Sequence, residues 1–496
     1  MHRETKVLVI GTGFAGLGMA VELRRRGEHD FVVLEKAADL GGTWRDNSYP
    51  GCACDVPSHM YSFSFELNPR WSRMFAQQGE IFDYLQHVAD KYGLRPHIRF
   101  DTKVSGARWD DDAKRWHVTT EQGDTYTAQA LVAGVGALHI PNVPELPGIE
   151  KFAGKAFHSA QWDHDLDLTG KRVAVVGTGA SAIQFVPRIA GSAGSLKVFQ
   201  RTPPWIMPKA DREITAREQK LFRALPLAQR LYRDFVYWVR ESSALGFAVN
   251  PKIMRFAQGI ALRHMKKQVP DARLRGKLKP DYTMGCKRVL ISNDYYPALG
   301  RPNVDLVTDK ISEVREKSIV DGSGTEHEVD VIIYGTGFHV VDSFDYLDIQ
   351  GRGGVDLAKQ WREKGIETYF GITVSGFPNL FFLLGPNTGL GHNSVVFMIE
   401  SQIRYVAQCL RLLDRHRAAE LDVRPEAQRE FNSELQRKLT KGVWTQGGCT
   451  SWYLDAQGVN RTVWPGFTWR YWMRTKRVRA EDYVLTAEKA TASRRP

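Results

Sequence analysis

The chain has no apolar run long enough to cross a bilayer. Stretches such as Phe381-Phe-Leu-Leu fall far short of the roughly 20 residues that a spanning helix needs. Cysteine is scarce: five residues in 496 do not make a disulfide framework, and a reducing cytoplasm is the expected setting. The first strand is expected by about Lys6, which leaves no room for a signal peptide. There is no low-complexity tract, and no metal is expected. Nucleic-acid recognition motifs are absent too, and the lysines and arginines are dispersed rather than gathered. The net charge of +12 therefore reads as solubility and attraction of small polyanions. The basic stretch Arg470 to Arg479 is the segment that would suit peripheral contact with an anionic membrane.

The length suggests roughly two to four domains, and a composition 43% hydrophobic and 25% charged suffices for large cores. Residues 1–140 alternate strand and helix signals. They include a hairpin over 101–120, turning at Asp110-Asp-Asp-Ala, and a buried strand at Ala130-Leu-Val-Ala. The proline-rich connector Pro141 to Pro147 marks the first boundary, and a second strand–helix unit follows over 141–208. Over 209–285 the pattern turns helical: Glu213 to Lys220 and Leu227 to Arg240 show helical apolar spacing, with Pro226 between them. Strand signals return over 286–340, at Val304-Asp-Leu-Val-Thr and Val329-Asp-Val-Ile-Ile-Tyr. Residues 341–496 contain an amphipathic helix, Val395 to Asp414, and are expected to complete the first unit.

Two glycine fingerprints close strands and lead into opposite charges. The first is Val7-Leu-Val-Ile-Gly11-Thr-Gly13-Phe-Ala-Gly16, and the strand after it, Phe31-Val-Val-Leu, ends at Glu35. The second is Val173-Ala-Val-Val-Gly177-Thr-Gly179-Ala-Ser181-Ala182, and the strand after it, Lys197-Val-Phe-Gln, ends at Arg201-Thr202. In such a turn the first glycine permits the tight bend, the second lets a pyrophosphate approach, and the third lets helix pack on strand. In the second unit Ala182 takes the third place, which the pattern permits. A carboxylate at the strand end bonds ribose hydroxyls, whereas an arginine there accommodates a 2′-phosphate. The expectation is an adenine dinucleotide at Gly11, Gly13, Gly16 and Glu35, and NADPH at Gly177, Thr178, Gly179, Ser181, Arg201 and Thr202. The expected fold is α/β: two Rossmann-like dinucleotide-binding domains, with a mostly helical insertion in the second.

Between the units lies Phe152-Ala-Gly154-Lys-Ala-Phe-His158-Ser-Ala-Gln-Trp162-Asp163. By chemistry alone, a histidine among aromatic residues reads as structural. The stretch nevertheless resembles, position by position, the signature FxGxxxHxxxW(P/D) of type I Baeyer–Villiger monooxygenases. The segment Gly41-Gly42-Thr43-Trp44 through Tyr49-Pro50-Gly51 to Asp55 resembles a second signature of that family. The resemblance runs from the first fingerprint to the loop Gly385-Pro-Asn-Thr-Gly. It implies FAD at Glu35, with Lys36, Thr43, Trp44, Asp55, Tyr61 and Val104 also at that cofactor. It implies a catalytic arginine, Arg288, in Cys286-Lys287-Arg288, with Asp55 as its orienting carboxylate and Lys287 as a further contact to the NADPH phosphate. The family's chemistry inserts one oxygen atom of O2 beside a ketone carbonyl through a C4a-peroxyflavin, giving an ester or lactone.

A fixed cation suits that chemistry because it favours a peroxide anion and then the oxyanion of the adduct. Outside the resemblance, Asp55 reads equally as a loop cap and Arg288 as a surface charge. Cys52 and Cys54 read as small loop residues. Trp452 resembles a substrate-side tryptophan of the family, although Leu454-Asp455-Ala456 departs from its usual surroundings. Trp464, Trp469 and Trp472 read as core aromatics. The rival functions are an N- or S-oxygenase, an NADPH-dependent flavin reductase, and a non-enzymatic FAD protein. A monomer or homodimer is expected, with no nucleic acid bound.

Overall fold

The apolar run Val7-Leu-Val-Ile lies at the centre of an eight-stranded sheet. The strand His2–Ile10 pairs in parallel with Phe31–Leu34 on one side and Thr125–Ala133 on the other. Val7 and Val9 enter one core and Leu8 and Ile10 another, so both faces of the sheet are covered. That double burial is why the strand reads as a continuous apolar run. The edge is an antiparallel meander, Val104–Asp110, Arg115–Thr120 and Thr125–Ala133. Strands from far downstream, Asp348–Gln350 and Leu380–Phe382, join the same sheet. The computed structural model describes residues 2–340, 348–449, 451–455 and 457–487, so Thr450 and Ala456 lie outside the described residues.

A second sheet of five parallel strands runs in the order Val304–Val307, Ser195–Phe199, Arg172–Val176, Val331–Tyr334, Lys155–His158. Both sheets therefore have the doubly wound α/β form, and each glycine fingerprint leaves a central strand. The helices Phe14–Arg25 and Ala182–Ile189 begin directly behind them. Close approach is visible at Gly16, where a Cβ would lie 1.8 Å from the Gly11 carbonyl oxygen.

Four helices, Ala216–Ala224, Pro226–Ser242, Met254–Gln268 and Ala272–Leu278, interrupt the second sheet between its strands 195–199 and 304–307. Pro226 occupies the first turn of its helix, where its missing N–H costs nothing. The long helix Val395–His416 lies on the first sheet's side, so close to the first fingerprint helix that a Cβ on Gly18 would meet Ile403 at 2.7 Å. Of the C-terminal tryptophans, Trp464 is buried, whereas Trp469 and Trp472 are half-buried beneath the cations Arg470, Arg404 and Lys476. The basic stretch from Arg470 is largely engaged in this way: Arg474 pairs with Glu434 at 2.9 Å and Arg479 with Glu481 at 3.0 Å.

Candidate active site

Distant segments converge on one guanidinium. Arg288 donates from Nε (3.1 Å) and Nη2 (2.5 Å) to Oδ2 of Asp55, and from Nη1 to the carbonyl of Leu390 (2.9 Å). Leu390 follows the Gly385-Pro-Asn-Thr-Gly loop. The Asp55 loop is itself pinned to the second dinucleotide unit through Gln184 of the helix Ala182–Ile189. Tyr49 donates its hydroxyl to Gln184 Oε1 (3.0 Å), and the Gln184 amide donates to the Ala53 carbonyl (2.9 Å). The sequence signature around Tyr49 thus works as a clasp between the two units.

The pair is charged under ordinary conditions. Burial raises the Asp55 carboxyl, but the charge and hydrogen bonds of Arg288 outweigh it and hold the group below its usual value. Asp55 in turn holds the Arg288 guanidinium above its usual value against the opposing effect of burial. A carboxyl with a depressed folded pKa contributes stability above its unfolded value and loses it as pH falls. The pair is therefore intact throughout the neutral range.

Sequence reasoning missed three neighbours. Arg240, on the helix Pro226–Ser242, has a buried Nε without a hydrogen-bond partner, and its charge acts on Asp55. Burial lowers its pKa and Asp55 opposes that. Its position on the inner face, seven residues after the buried Arg233, was the available signal. Tyr453 is the second: it is buried beside Arg288. Its neighbour Trp452 stays 45% exposed, its ring 4.3 Å from that of Tyr453 and tilted by 49°, so the tyrosine and not the tryptophan reaches the pair. The third is a disulfide between Cys286 and Cys449, which ties this C-terminal loop to the segment bearing Arg288. At 163 positions apart, the two cysteines share no local pattern. The expectation of a reduced protein is corrected here to one disulfide and, among the described residues, three free thiols. Cys52 and Cys54 are buried as small loop residues, and burial pushes the Cys52 thiol up to about 12, far from a reactive thiolate.

The first fingerprint forms a backbone cradle. Gly11 has φ +95°, and a Cβ on Gly42 would stand 3.2 Å from Gly13 Cα, so two glycine turns face each other. Glu35 is buried at the strand end. Its carboxylate accepts from the Thr12 N–H (3.0 Å), the Thr12 hydroxyl (2.5 Å) and the Ala37 N–H (3.0 Å), and pairs with Arg45 (3.0 Å). Trp44 donates its indole N–H to the Tyr61 hydroxyl (3.2 Å), and Thr43 precedes it. Val104 is buried where its strand begins, and Lys36 is exposed. A cradle free of side chains, with a buried carboxylate at its end, fits the diphosphate and ribose of an adenine dinucleotide.

The strand that follows the second fingerprint ends at a cleft of about 1030 Å³. It gathers Arg201, Thr202 and Lys287 with three cations from the insertion, Arg273, Lys277 and Lys279. Burial, and then Arg201, lowers the pKa of Lys287. Gly177 has φ +105°, with a Cβ position 2.5 Å from the Gly335 carbonyl oxygen; Gly179 is open and Ser181 precedes the helix Ala182–Ile189. Thr178 is buried, its hydroxyl 3.4 Å from the Thr202 carbonyl. This set fits a phosphorylated dinucleotide.

The third signature is an edge of the second sheet. Gly154 allows close passage, since a Cβ there would lie 2.2 Å from the Asp330 carbonyl oxygen. Half-buried Phe152 packs against the second sheet's outer core. His158 is buried, accepts at Nδ1 from the Ala160 N–H (3.1 Å), and has its pKa lowered by burial. Trp162 lies 5.3 Å from Phe185, and Asp163 pairs loosely with Lys155 at 3.9 Å.

Two dinucleotide folds clasped over a half-buried guanidinium–carboxylate pair define a class of two-cofactor oxidoreductases. The chain belongs to the flavin-binding monooxygenase-like family, whose sequence profile matches residues 4–351. Within it, the chain groups with Baeyer–Villiger monooxygenases. It is 53% identical over 485 residues to one from Pseudomonas aeruginosa, covering 98% of this chain and 92% of that protein. It is 52% identical to one from Streptomyces coelicolor, covering 98% and 93%. Its structure resembles an oxidised steroid monooxygenase bound to NADP, with TM-score 0.88, 31% identity, and coverage of 98% of this chain and 100% of that one. It also resembles the closed form of a cyclohexanone monooxygenase, with TM-score 0.89, 27% identity and the same coverage.

The disulfide yields a direct count. Unfolded without reductant, the protein should expose three reactive thiols, Cys52, Cys54 and Cys409, and all five cysteines after reduction. Five before reduction would contradict the Cys286–Cys449 bond.

Proposed function

We propose that this chain is an FAD- and NADPH-dependent Baeyer–Villiger monooxygenase that inserts one oxygen atom of O2 beside a ketone carbonyl, giving an ester or lactone. The observation that carries the reading is the Arg288–Asp55 pair, held where the two dinucleotide units meet. When bound, NADPH supplies hydride and FAD supplies oxygen activation; the remaining work falls to the chain. Glu35 takes the FAD ribose. Thr43, Trp44, Tyr61, Val104 and Lys36 line the same cofactor. Arg201, Thr202 and Lys287 take the 2′-phosphate, with Gly177, Thr178, Gly179 and Ser181 beneath the diphosphate.

Arg288 is a permanent cation, so it neither gives nor takes a proton in the reaction. Its role is to favour negative charge on the reacting oxygen and then on the oxyanion of the carbonyl adduct. Asp55 and the Leu390 carbonyl fix three of its five N–H bonds and so fix its plane. Phe152, Gly154, His158, Trp162 and Asp163 act at a distance, by seating the edge strand against the helix that carries Gln184. Trp452 remains a substrate-side candidate through its ring contact with Tyr453. The substrate is a small ketone, the working form a monomer or homodimer, and the setting the NADPH-supplied cytoplasm.

Under ¹⁸O2 the ester should carry one labelled oxygen. Arg288→Ala should keep FAD and still consume NADPH, yet lose ester by about a hundredfold or more. Unlabelled ester, or a wild-type yield from Arg288→Ala, would contradict the reading. Arg201→Ala should raise the KM for NADPH by roughly ten- to a hundredfold and leave that for NADH nearly unchanged, as loss of a charge-assisted phosphate contact requires. Equal effects on both would put the phosphate elsewhere.

A further inference from the structure

The helix Pro226–Ser242 is inside out. Its inward side buries Gln229, Arg233, Val236, Tyr237 and Glu241, most of them polar. Arg233 donates from Nη1 to the carbonyls of His59 (2.7 Å) and Ser62 (3.1 Å), and Glu241 accepts from the side chains of Asn393 (2.7 Å) and Thr468 (2.8 Å). The polar face is therefore locked into the protein by specific bonds. The outward side shows Leu227, Leu231, Phe235, Trp238 and Val239, all exposed. Their spacing of four, four, three and one residues puts them on one side of the helix. Phe235 is 63% exposed and Trp238 59%. Apolar exposure continues along the chain through Leu245, Val249 and Ile253 to Phe256, which is 78% exposed. A contiguous apolar face of this kind, on a helix whose polar side is already used, marks an interaction surface.

The charge around it selects the partner. Between residues 217 and 267, nine lysine and arginine side chains are exposed, against one exposed carboxylate, Asp234. Arg217, Lys220 and Arg223 precede the helix, Arg230 lies in its second turn, and Lys252 and Arg255 follow it. None of these six is in an ion pair with any described carboxylate. A second copy docked through the same face would set these cations against one another across the two-fold axis. An anionic lipid surface satisfies both features: the headgroups meet the lysines and arginines, and the Leu, Phe and Trp side chains enter the acyl boundary.

We propose that the outer face of the helix Pro226–Ser242, with Val249, Ile253 and Phe256, docks this protein on anionic bilayers as a peripheral membrane protein. The helix lies in the plane of the interface and does not span it. On the proposed reading of the site, the same helix carries Arg240 toward Asp55 and Arg288 on its other side. Docking would then bring the reaction centre next to the phase in which apolar ketones concentrate. That consequence rests on the oxygenase reading, whereas the docking does not.

The test is flotation of the full-length, FAD-loaded protein with vesicles of phosphatidylcholine alone and of phosphatidylcholine mixed with phosphatidylglycerol. The bound fraction should be at least about tenfold higher on the anionic vesicles and should fall as salt is raised. The combined variant Leu231→Ser, Phe235→Ser, Trp238→Ser should lose that binding while keeping its flavin content and its rate on a water-soluble ketone. Arg223→Glu with Lys252→Glu and Arg255→Glu should lose the preference for anionic lipid. Wild-type protein that stays in solution with both vesicles, or a serine variant that floats like wild type, would overturn the proposal. So would a lipid-free dimer, seen by sedimentation, that the serine variant abolishes, because a second copy would then be the occupant.

Discussion

Arg288 and Asp55 stand 233 positions apart in the chain, yet both N–H···O contacts between them fall on a single carboxylate oxygen. Asp55 ends a loop of the first dinucleotide unit, and Arg288 begins the return of the second after its helical insertion. Joining them joins the two units. Removing one partner of such a pair leaves a partly buried charge uncompensated, a loss of about 3–5 kcal/mol when burial is complete. The contact therefore couples the relative placement of two sheets to the charge state of one small site. On the proposed function, it also holds a permanently charged guanidinium at a fixed angle, which is what stabilisation of a transient anion requires.

Other contacts gain their meaning from this one. Gln184 fixes the loop that presents Asp55, reaching it from the first turn of the helix behind the second fingerprint. Leu390 caps the third direction of the guanidinium from the C-terminal half of the chain. The Cys286–Cys449 bond anchors the segment that carries Tyr453, immediately before Lys287-Arg288 on one side and four residues upstream of Tyr453 on the other. Arg240 adds a second cation from the insertion, with its Nε buried. The site is thus assembled from the loop, the insertion, the second unit and the C-terminal region, and no single segment would hold it.

The features legible in the sequence were those with local periodicity or fixed spacing. Val7 to Ile10 and Val173 to Val176 are apolar throughout because both faces of each sheet are covered, and the glycines that close them, Gly11 and Gly177, have positive φ and face the carbonyl oxygens of Gly134 and Gly335 at close range. Glu35 and Arg201 follow at the expected strand ends for the same reason. Arg288 was legible only through resemblance, since nothing in Gly285-Cys-Lys-Arg distinguishes a reaction centre from a basic turn. Tyr453, Gln184 and the disulfide were not legible, because each depends on segments brought together across a hundred residues or more. The helix at 226–242 is instructive in another way. Apolar periodicity found the helix, but periodicity does not say which face turns inward, and here hydrogen bonds to Arg233 and Glu241 decide it against the usual order.

The central claim is that Asp55 and Arg288 act as one unit in oxygen transfer. A double-mutant cycle of Asp55→Asn and Arg288→Lys tests it, with the rate of ester formation read beside the rate of flavin reduction by NADPH. The account predicts that either change alone lowers ester formation nearly as far as both together, a coupling of about 2 kcal/mol or more, while flavin reduction changes little. Losses that simply add, or that fall equally on flavin reduction, would show that the pair is not the device on which the chemistry turns.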